Sequence, residues 1–459
     1  MSSQKPYSPS RNTILIVTLM GVAATSFPVT VLSASLPVVA EDLNTSDTTT
    51  AWVIIAPLLV VAVLTPMAGK LGDIYGHRRL YLIGFAGAGL LHFATALAPN
   101  VGWLIVLRTL SQVMAAPTGP AALAILMKVF PGPQRNRAMG WWGTVVAASP
   151  ALGVVVGGAL VDAVGWQWIF VIQGVITLAA AAAASRVLPV TPGHHQRHFD
   201  VLGAATLGFG VAALLVATNR GPHWGWTSPA IVGGLVLGPI FLYLFSQIEN
   251  RVKSPLIPLE IVRQPRVLLL FASQTLHQAA YMGGFIVAPF LLERIFGYST
   301  AKIALLMIGR PIAFATGSAI SGRISTRYRP AVVAGGSMMI VAASLFVTGL
   351  GGKADMIVLV AAAMSATGFG MGFGRPVIIT SIADTVSDED LGVASGSFQM
   401  VVMLGAAIGI STLTTIIGDS TSVNRFVFVF ALAAATATIA STAAFLSLRD
   451  KPIPESIET

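Results

Sequence analysis

The chain has 459 residues, 55% of them hydrophobic and only 10% charged, with a mean hydropathy of +0.80. A soluble domain carries about 25% charge, so a water-soluble globule is excluded and a polytopic membrane protein is implied. The absence of cysteine excludes disulfides and thiolate metal sites. The formal net charge of +9 leaves nucleic acid open as a partner until the charges are placed along the chain.

The polar stretch 1–12 runs into an apolar run too long for the core of a cleavable signal, so it reads as the first span. Fourteen candidate helical spans follow from the apolar runs: 13–38, 50–69, 80–98, 102–127, 138–161, 166–187, 201–218, 228–247, 267–292, 300–322, 331–350, 355–380, 392–417 and 425–447. Spans 7 and 8 are set off by a basic segment, 189–200, and a polar one, 249–266. The layout is six, two, six: an N-terminal bundle over 1–187, a linker with two extra spans over 188–266, and a C-terminal bundle over 267–459.

The basic residues orient this map. With both termini in the cytoplasm, nineteen of the 27 Lys and Arg fall in inside segments, five in outside segments, and three, Arg108, Arg310 and Arg375, within spans. That is a positive-inside bias, and it assigns the basic charge to topology and anionic headgroups rather than to nucleic acid. The lipid bilayer is the expected surroundings, in a bacterial inner membrane, and the chain is expected to be a monomer.

In chain order, span 1 carries Ser26, Thr30 and Ser33 within "FPVTVLSASLP". Between spans 2 and 3 lies "GKLGDIYGHRR", with Gly69, Asp73, Gly76, Arg78 and Arg79. A degraded copy, "SGRISTRYRP", stands between spans 10 and 11, with Thr326 at the acidic position, as internal duplication predicts. Span 4 holds Arg108, Ser111 and Gln112. Span 5 holds "SPALGVVVGG", with Pro150, Gly153, Gly157 and Gly158; Gly153 and Gly157 make a G-x-x-x-G that lets two helix backbones approach. Span 9 places Gln274, His277, Gln278 and Tyr281 at i, i+3, i+4 and i+7, on one face. In lipid such a stripe must meet protein or a water-filled cavity; interhelical hydrogen bonding is the plainer explanation.

Gly-Arg-Pro occurs twice, at Arg310 in span 10 and Arg375 in span 12. An arginine at a helix centre costs about 2.5–3.5 kcal/mol, and each proline frees the carbonyl four residues back, at Met307 and Gly372. Either the arginines satisfy such groups at a kink, or they snorkel to the interface, or they face a cavity and bind an anionic or strongly polar substrate.

The loop between spans 2 and 3 resembles the G-x-L-x-D-x-x-G-x-R-[RK] signature of the major facilitator superfamily. Span 5 with "GWQWIF" after it is similar to the antiporter signature of fourteen-span drug:proton antiporters, the EmrB/QacA-type exporters. The resemblance implies two pseudo-symmetric six-helix bundles plus two inserted central helices. It implies that spans 1, 4, 9 and 12 line a cavity, that Asp73 docks on a neighbouring helix end to shut the cytoplasmic side, and that the span 5 glycines form a hinge or seal. Departures are visible: Pro28 stands where the family has an acid, Ser33 where it has asparagine, and the family's R-x-x-Q-G reads "RTLSQ". All 18 Asp and Glu lie in loops, tails or span ends, so His277 becomes the candidate for the coupling proton.

No G-x-x-x-x-G-K-[ST] is present, no nucleophile and base share a span face, and His194, His195 and His198 sit in the basic linker. Enzymatic activity, a cofactor and a metal are not expected. The expected function is secondary-active export of amphipathic small molecules such as drugs, coupled to protons. The alternatives are export of one anionic natural product or lipid-like compound, and a transporter fold used as a sensor. The expected substrate-binding set is Arg310, Arg375, Arg108, Gln112, Gln274, His277, Gln278, Tyr281 and Ser33.

Overall fold

The computed structural model describes residues 10–45, 47–50, 52–193, 199–252, 256, 264–298, 300–387, 390–418 and 420–450. Side chains are not described for 26–31, 33–37 and 150–160, among others.

The helices are α1 (Arg11–Asp42), α2 (Trp52–Tyr75), α3 (His77–Ala96), α4 (Val101–Val129), α5 (Pro133–Val164), α6 (Gln167–Val187), α7 (Val201–Trp224) and α8 (Pro229–Glu249). They continue with α9 (Pro265–Arg294), α10 (Leu305–Arg323), α11 (Pro330–Lys353), α12 (Ile357–Ala383), α13 (Leu391–Ile417) and α14 (Val423–Leu448). Among the described residues twelve helices, all but α1 and α5, are long and apolar enough to cross a membrane. Both α1 and α5 run to 32 residues. Two spans are interrupted: α4 breaks at Ala116–Pro117, and α10 at Ile308, immediately after Met307. The second break is where Pro311 removes a backbone donor; Pro376 sits inside an unbroken α12.

Local chemistry sets the helix ends. The Ser10, Asn100 and Asp200 side chains accept from the third residue on, at Thr13, Trp103 and Gly203, which satisfies one of the orphan first-turn amides. Prolines open α5, α8, α9 and α11, where their fixed φ suits a first turn.

The first six and last six helices pair in the same way. The pairs α1–α5, α1–α6, α2–α4, α3–α4 and α3–α6 recur as α9–α13, α9–α14, α10–α12, α11–α12 and α11–α14. Four further pairs join the sets, α2 with α13, α5 with α10, α5 with α12 and α4 with α13; the first two map onto each other under the same pseudo-twofold, as do the last two. Helix α7 contacts α2 and α13 and pairs with α8, so the inserted pair lies over one seam.

One apolar cluster crosses between the sets. It holds Tyr81, Phe85, Leu126, Met139 and Trp142 of the first with Met338, Ile378, Leu391 and Phe398 of the last. It lies toward the end of the bundle carrying the loops around 76, 131, 328 and 387, here termed the basic end. Separate clusters fill the opposite ends of each set.

Candidate functional site

At the basic end the seams are closed by close backbone approach and polar contacts. Along α2–α13, a Cβ on Gly69 would stand 2.1 Å from the Gly392 carbonyl oxygen, and one on Gly396 would stand 2.7 Å from that of Thr65. Along α5–α10, a Cβ on Gly140 would lie 2.7 Å from the Ser318 carbonyl oxygen. Ser318 donates to the Gly140 carbonyl at 2.9 Å, and Thr144 donates to that of Ala315 at 3.1 Å. Thr380 donates to Asn136 at 2.7 Å, and Arg135 pairs with Asp384 at 2.8 Å.

The Asp73 carboxylate, 2% exposed, accepts from the Gly392 and Val393 amides at 3.1 and 3.0 Å. Those are first-turn donors of α13, whose helix begins at Leu391. A carboxylate there meets both unsatisfied N–H groups and the positive end of the helix dipole. Asp73 thus caps the start of α13. His77, equally buried, places Nε2 3.1 Å from Asp73 Oδ1. Gly76 turns the chain at φ +93, and a Cβ there would meet the Thr191 carbonyl at 2.4 Å; glycine alone adopts this turn without strain. The arginines after it serve the loop itself: the Arg78 amide donates to Thr191, its guanidinium donates to the Ser185 carbonyl, and Arg79 is exposed.

The three intramembrane arginines part company. Arg108 stays inside the first set, donating to Gln173 at 3.1 Å beside His92 at 3.3 Å, with the Phe170 ring 5.7 Å away. Arg310 stays inside the last set. It donates to the Tyr281 carbonyl at 2.7 Å and lies over the Tyr281 and Phe285 rings at 3.8 and 4.3 Å. Arg375 is the one between the sets: half-buried, 5.5 Å from the Trp142 ring of α5 and 5.9 Å from the Phe398 ring of α13.

The α9 stripe is buried, and two of its members come near Arg375. Gln274, His277 and Gln278 are each no more than 2% exposed. Among the described residues, both Gln274 amide atoms, both His277 nitrogens, Gln278 Oε1, Trp142 Nε1 and Arg375 Nε find no hydrogen-bond partner. His277 and Tyr281 lie within charge–charge reach of Arg375. A buried polar atom without a partner costs about 1–3 kcal/mol, so a cluster of them marks a place where water or a ligand completes the bonding. Gln112 is half-buried, and Ser111 donates back to its own helix at Arg108. The side chains of Ser33, Pro150, Gly153, Gly157 and Gly158 lie outside the description, as do His194, His195 and His198.

Trp142, Phe398 and Gln399 were not legible in the sequence as site residues. Each is a single polar or aromatic residue on a helix with no polar periodicity, and Gln399 comes into place against Gly119 of α4. The adjacent Trp141–Trp142 pair in "GWWG" was the available signal.

The chain is 29% identical over 409 residues to the tetracenomycin C resistance and export protein of Streptomyces glaucescens, covering 87% of this chain and 74% of that one. It is 30% identical over 399 residues to the puromycin resistance protein of Streptomyces alboniger, covering 86% and 79%. The multidrug transporter protein MdtP of Bacillus subtilis is 27% identical over 424 residues, covering 90% and 76%. Among solved structures, the human organic anion transporter MFSD10 superposes with a TM-score of 0.66 at 14% identity, covering 97% of this chain and 99% of that one. At that identity the likeness speaks for the fold. The Major Facilitator Superfamily profile matches residues 18–364 and 270–459. With its duplicated helix pairing and its Asp73-capped seam, the chain belongs to the Major Facilitator Superfamily.

Proposed function

We propose that the chain is a secondary-active exporter of amphipathic small molecules, working by alternating access. In this reading α1–α6 within 1–187 and α9–α14 within 267–459 are two rocking bundles. Helices α7 and α8, within 188–266, are an inserted pair, and all fourteen helices span the membrane. Both termini and the basic end lie in the cytoplasm, as the excess of Lys and Arg there supports. The structure is then closed toward the cytoplasm, and Asp73 on α13 holds it so. A monomer suffices, because both bundles belong to one chain.

The observation that carries the reading is the buried polar stripe of α9, without hydrogen-bond partners among the described residues, whose His277 lies within reach of Arg375, the arginine set between Trp142 of α5 and Phe398 of α13. Buried polar groups are retained in lipid where a cavity or ligand satisfies them. The names of the relatives, resistance and export proteins for antibiotics, favour outward movement of small organic molecules. His277 is the titratable group of that cluster and the candidate carrier of a coupling proton.

Everted membrane vesicles containing the protein, given a panel of anionic, neutral and cationic dyes with and without a proton gradient, test this. Gradient-dependent uptake of several unrelated dyes that His277→Ala uncouples is the expected result. Uptake untouched by collapsing the gradient sinks the proton coupling. No uptake of any dye sinks transport and favours a sensor.

A further inference from the structure

We infer that the site between the bundles takes an organic anion bearing an aromatic body, that Arg375 is the residue that recognises its charge, and that the membrane potential drives its outward movement. The inference rests on the exporter reading above and names the substrate class of that same site.

Of the three arginines enclosed by the apolar spans read from the sequence, two are already engaged. Arg108 has Gln173 and His92 inside the first bundle, and Arg310 has the Tyr281 carbonyl and two aromatic rings inside the last. Among the described residues Arg375 has no carboxylate and no hydrogen-bonded acceptor; the Trp142 and Phe398 rings flank it. An arginine half-buried in a membrane protein and left without an anion is costly, and its planar fork matches a carboxylate, sulfonate or phosphate. Flanking rings 5.5 and 5.9 Å away offer an apolar seat for an aromatic body. His277 lies within reach of the Arg375 charge, and its ring nitrogens find no partner among the described residues. No carboxylate competes: all 18 Asp and Glu lie in loops, tails or span ends. A cation would find no counter-charge in this site.

The charge has a consequence for energetics. A substrate anion leaving a cell whose interior is negative moves down the electrical gradient. One elementary charge across about 100 mV is worth about a 50-fold concentration ratio at equilibrium. A proton entering in exchange would move charge in the same electrical sense, so the two driving forces add.

Purified protein in liposomes, with 8-anilinonaphthalene-1-sulfonate as the anionic probe, ethidium as the cationic one, and a potassium diffusion potential imposed at equal pH on both sides, tests this. Wild type should move the sulfonate toward the positive side, with an accumulation ratio that rises toward about 50-fold per 100 mV. Arg375→Gln should reduce its initial rate at least tenfold, whereas Arg375→Lys should retain potential-dependent movement with a raised KM. The lysine variant distinguishes loss of charge from loss of fold. Sulfonate movement indifferent to the potential, or unchanged in Arg375→Gln, overturns the proposal. Movement of ethidium without the sulfonate also overturns it, while leaving the exporter reading intact. Movement of neither overturns the exporter reading and this inference with it.

Discussion

Arg310 and Arg375 sit in the same tripeptide, yet the structure gives them different work. The cost of burying a guanidinium is met in Arg310 by one carbonyl and two rings of α9, a cation–π arrangement worth about 2 kcal/mol when desolvated. Arg310→Met is therefore expected to lower the melting temperature of the purified protein by several degrees without altering which dyes it moves; a changed dye profile at unchanged stability would contradict this. The sequence placed both arginines at depth but could not distinguish them, because the distinction depends on which ring of a distant helix lies within 4–6 Å. Asp73 is the opposite case. Its spacing from Gly76 and Arg78 was legible, and the structure adds the two amides that receive it. Hydrogen bonds to a charged group are worth about 1.5–3 kcal/mol. Asp73→Asn should thus shift the closed–open balance about 10- to 100-fold toward opening. Since the chain has no native cysteine, a cysteine at Ser397, 4% exposed, reports this directly. Its labelling by an impermeant maleimide from the basic end should accelerate in the Asp73→Asn background.

At the level of the helices, the seams depend on glycine. A Cβ at Gly392 would stand 2.4 Å from the Gly69 carbonyl oxygen and 2.6 Å from Asp73 Oδ1, so Gly392→Ala must push α2 and α13 apart. The expected outcome is the same accelerated Ser397→Cys labelling as in Asp73→Asn. Gly336→Ala, where nothing stands within 4 Å of the added Cβ, should leave labelling unchanged. Equal effects of the two substitutions would show that the seam is not set by backbone approach. The helices themselves were legible from apolar run length, with ends shifted by a few residues where caps decide. Span 1 lengthens to Arg11–Asp42 because Ser10 caps it, and span 9 starts at Pro265 because proline fits a first turn. The break at Ile308 was foreshadowed by Pro311, which frees the Met307 carbonyl. The break at Ala116–Pro117 was not anticipated; span 4 reads as one apolar run.

For the molecule as a whole, the duplicated loop motif foretold two related bundles, and the recurring helix pairings bear out that symmetry in geometry. The site was less legible. A polar stripe on one helix can be read by spacing, as with Gln274, His277, Gln278 and Tyr281. A site assembled from single residues of α5, α12 and α13 has no period to read, and Arg108, on the same sequence footing, turned into its own bundle. The central claim is that cargo passes between two bundles whose basic end must open. Arg135 and Asp384 face each other across that end at 2.8 Å, Asp384 half exposed and Arg135 less so; a pair at the surface contributes about 0–1 kcal/mol, and the cysteine variants are expected to fold with the loss of this pair and of the Arg135 bond to the Met127 carbonyl. The decisive measurement is dye transport by Arg135→Cys/Asp384→Cys protein joined with a short, reducible bifunctional crosslinker. Transport should stop on crosslinking and return to the uncrosslinked rate on reduction; full-rate transport through the joined protein would contradict alternating access.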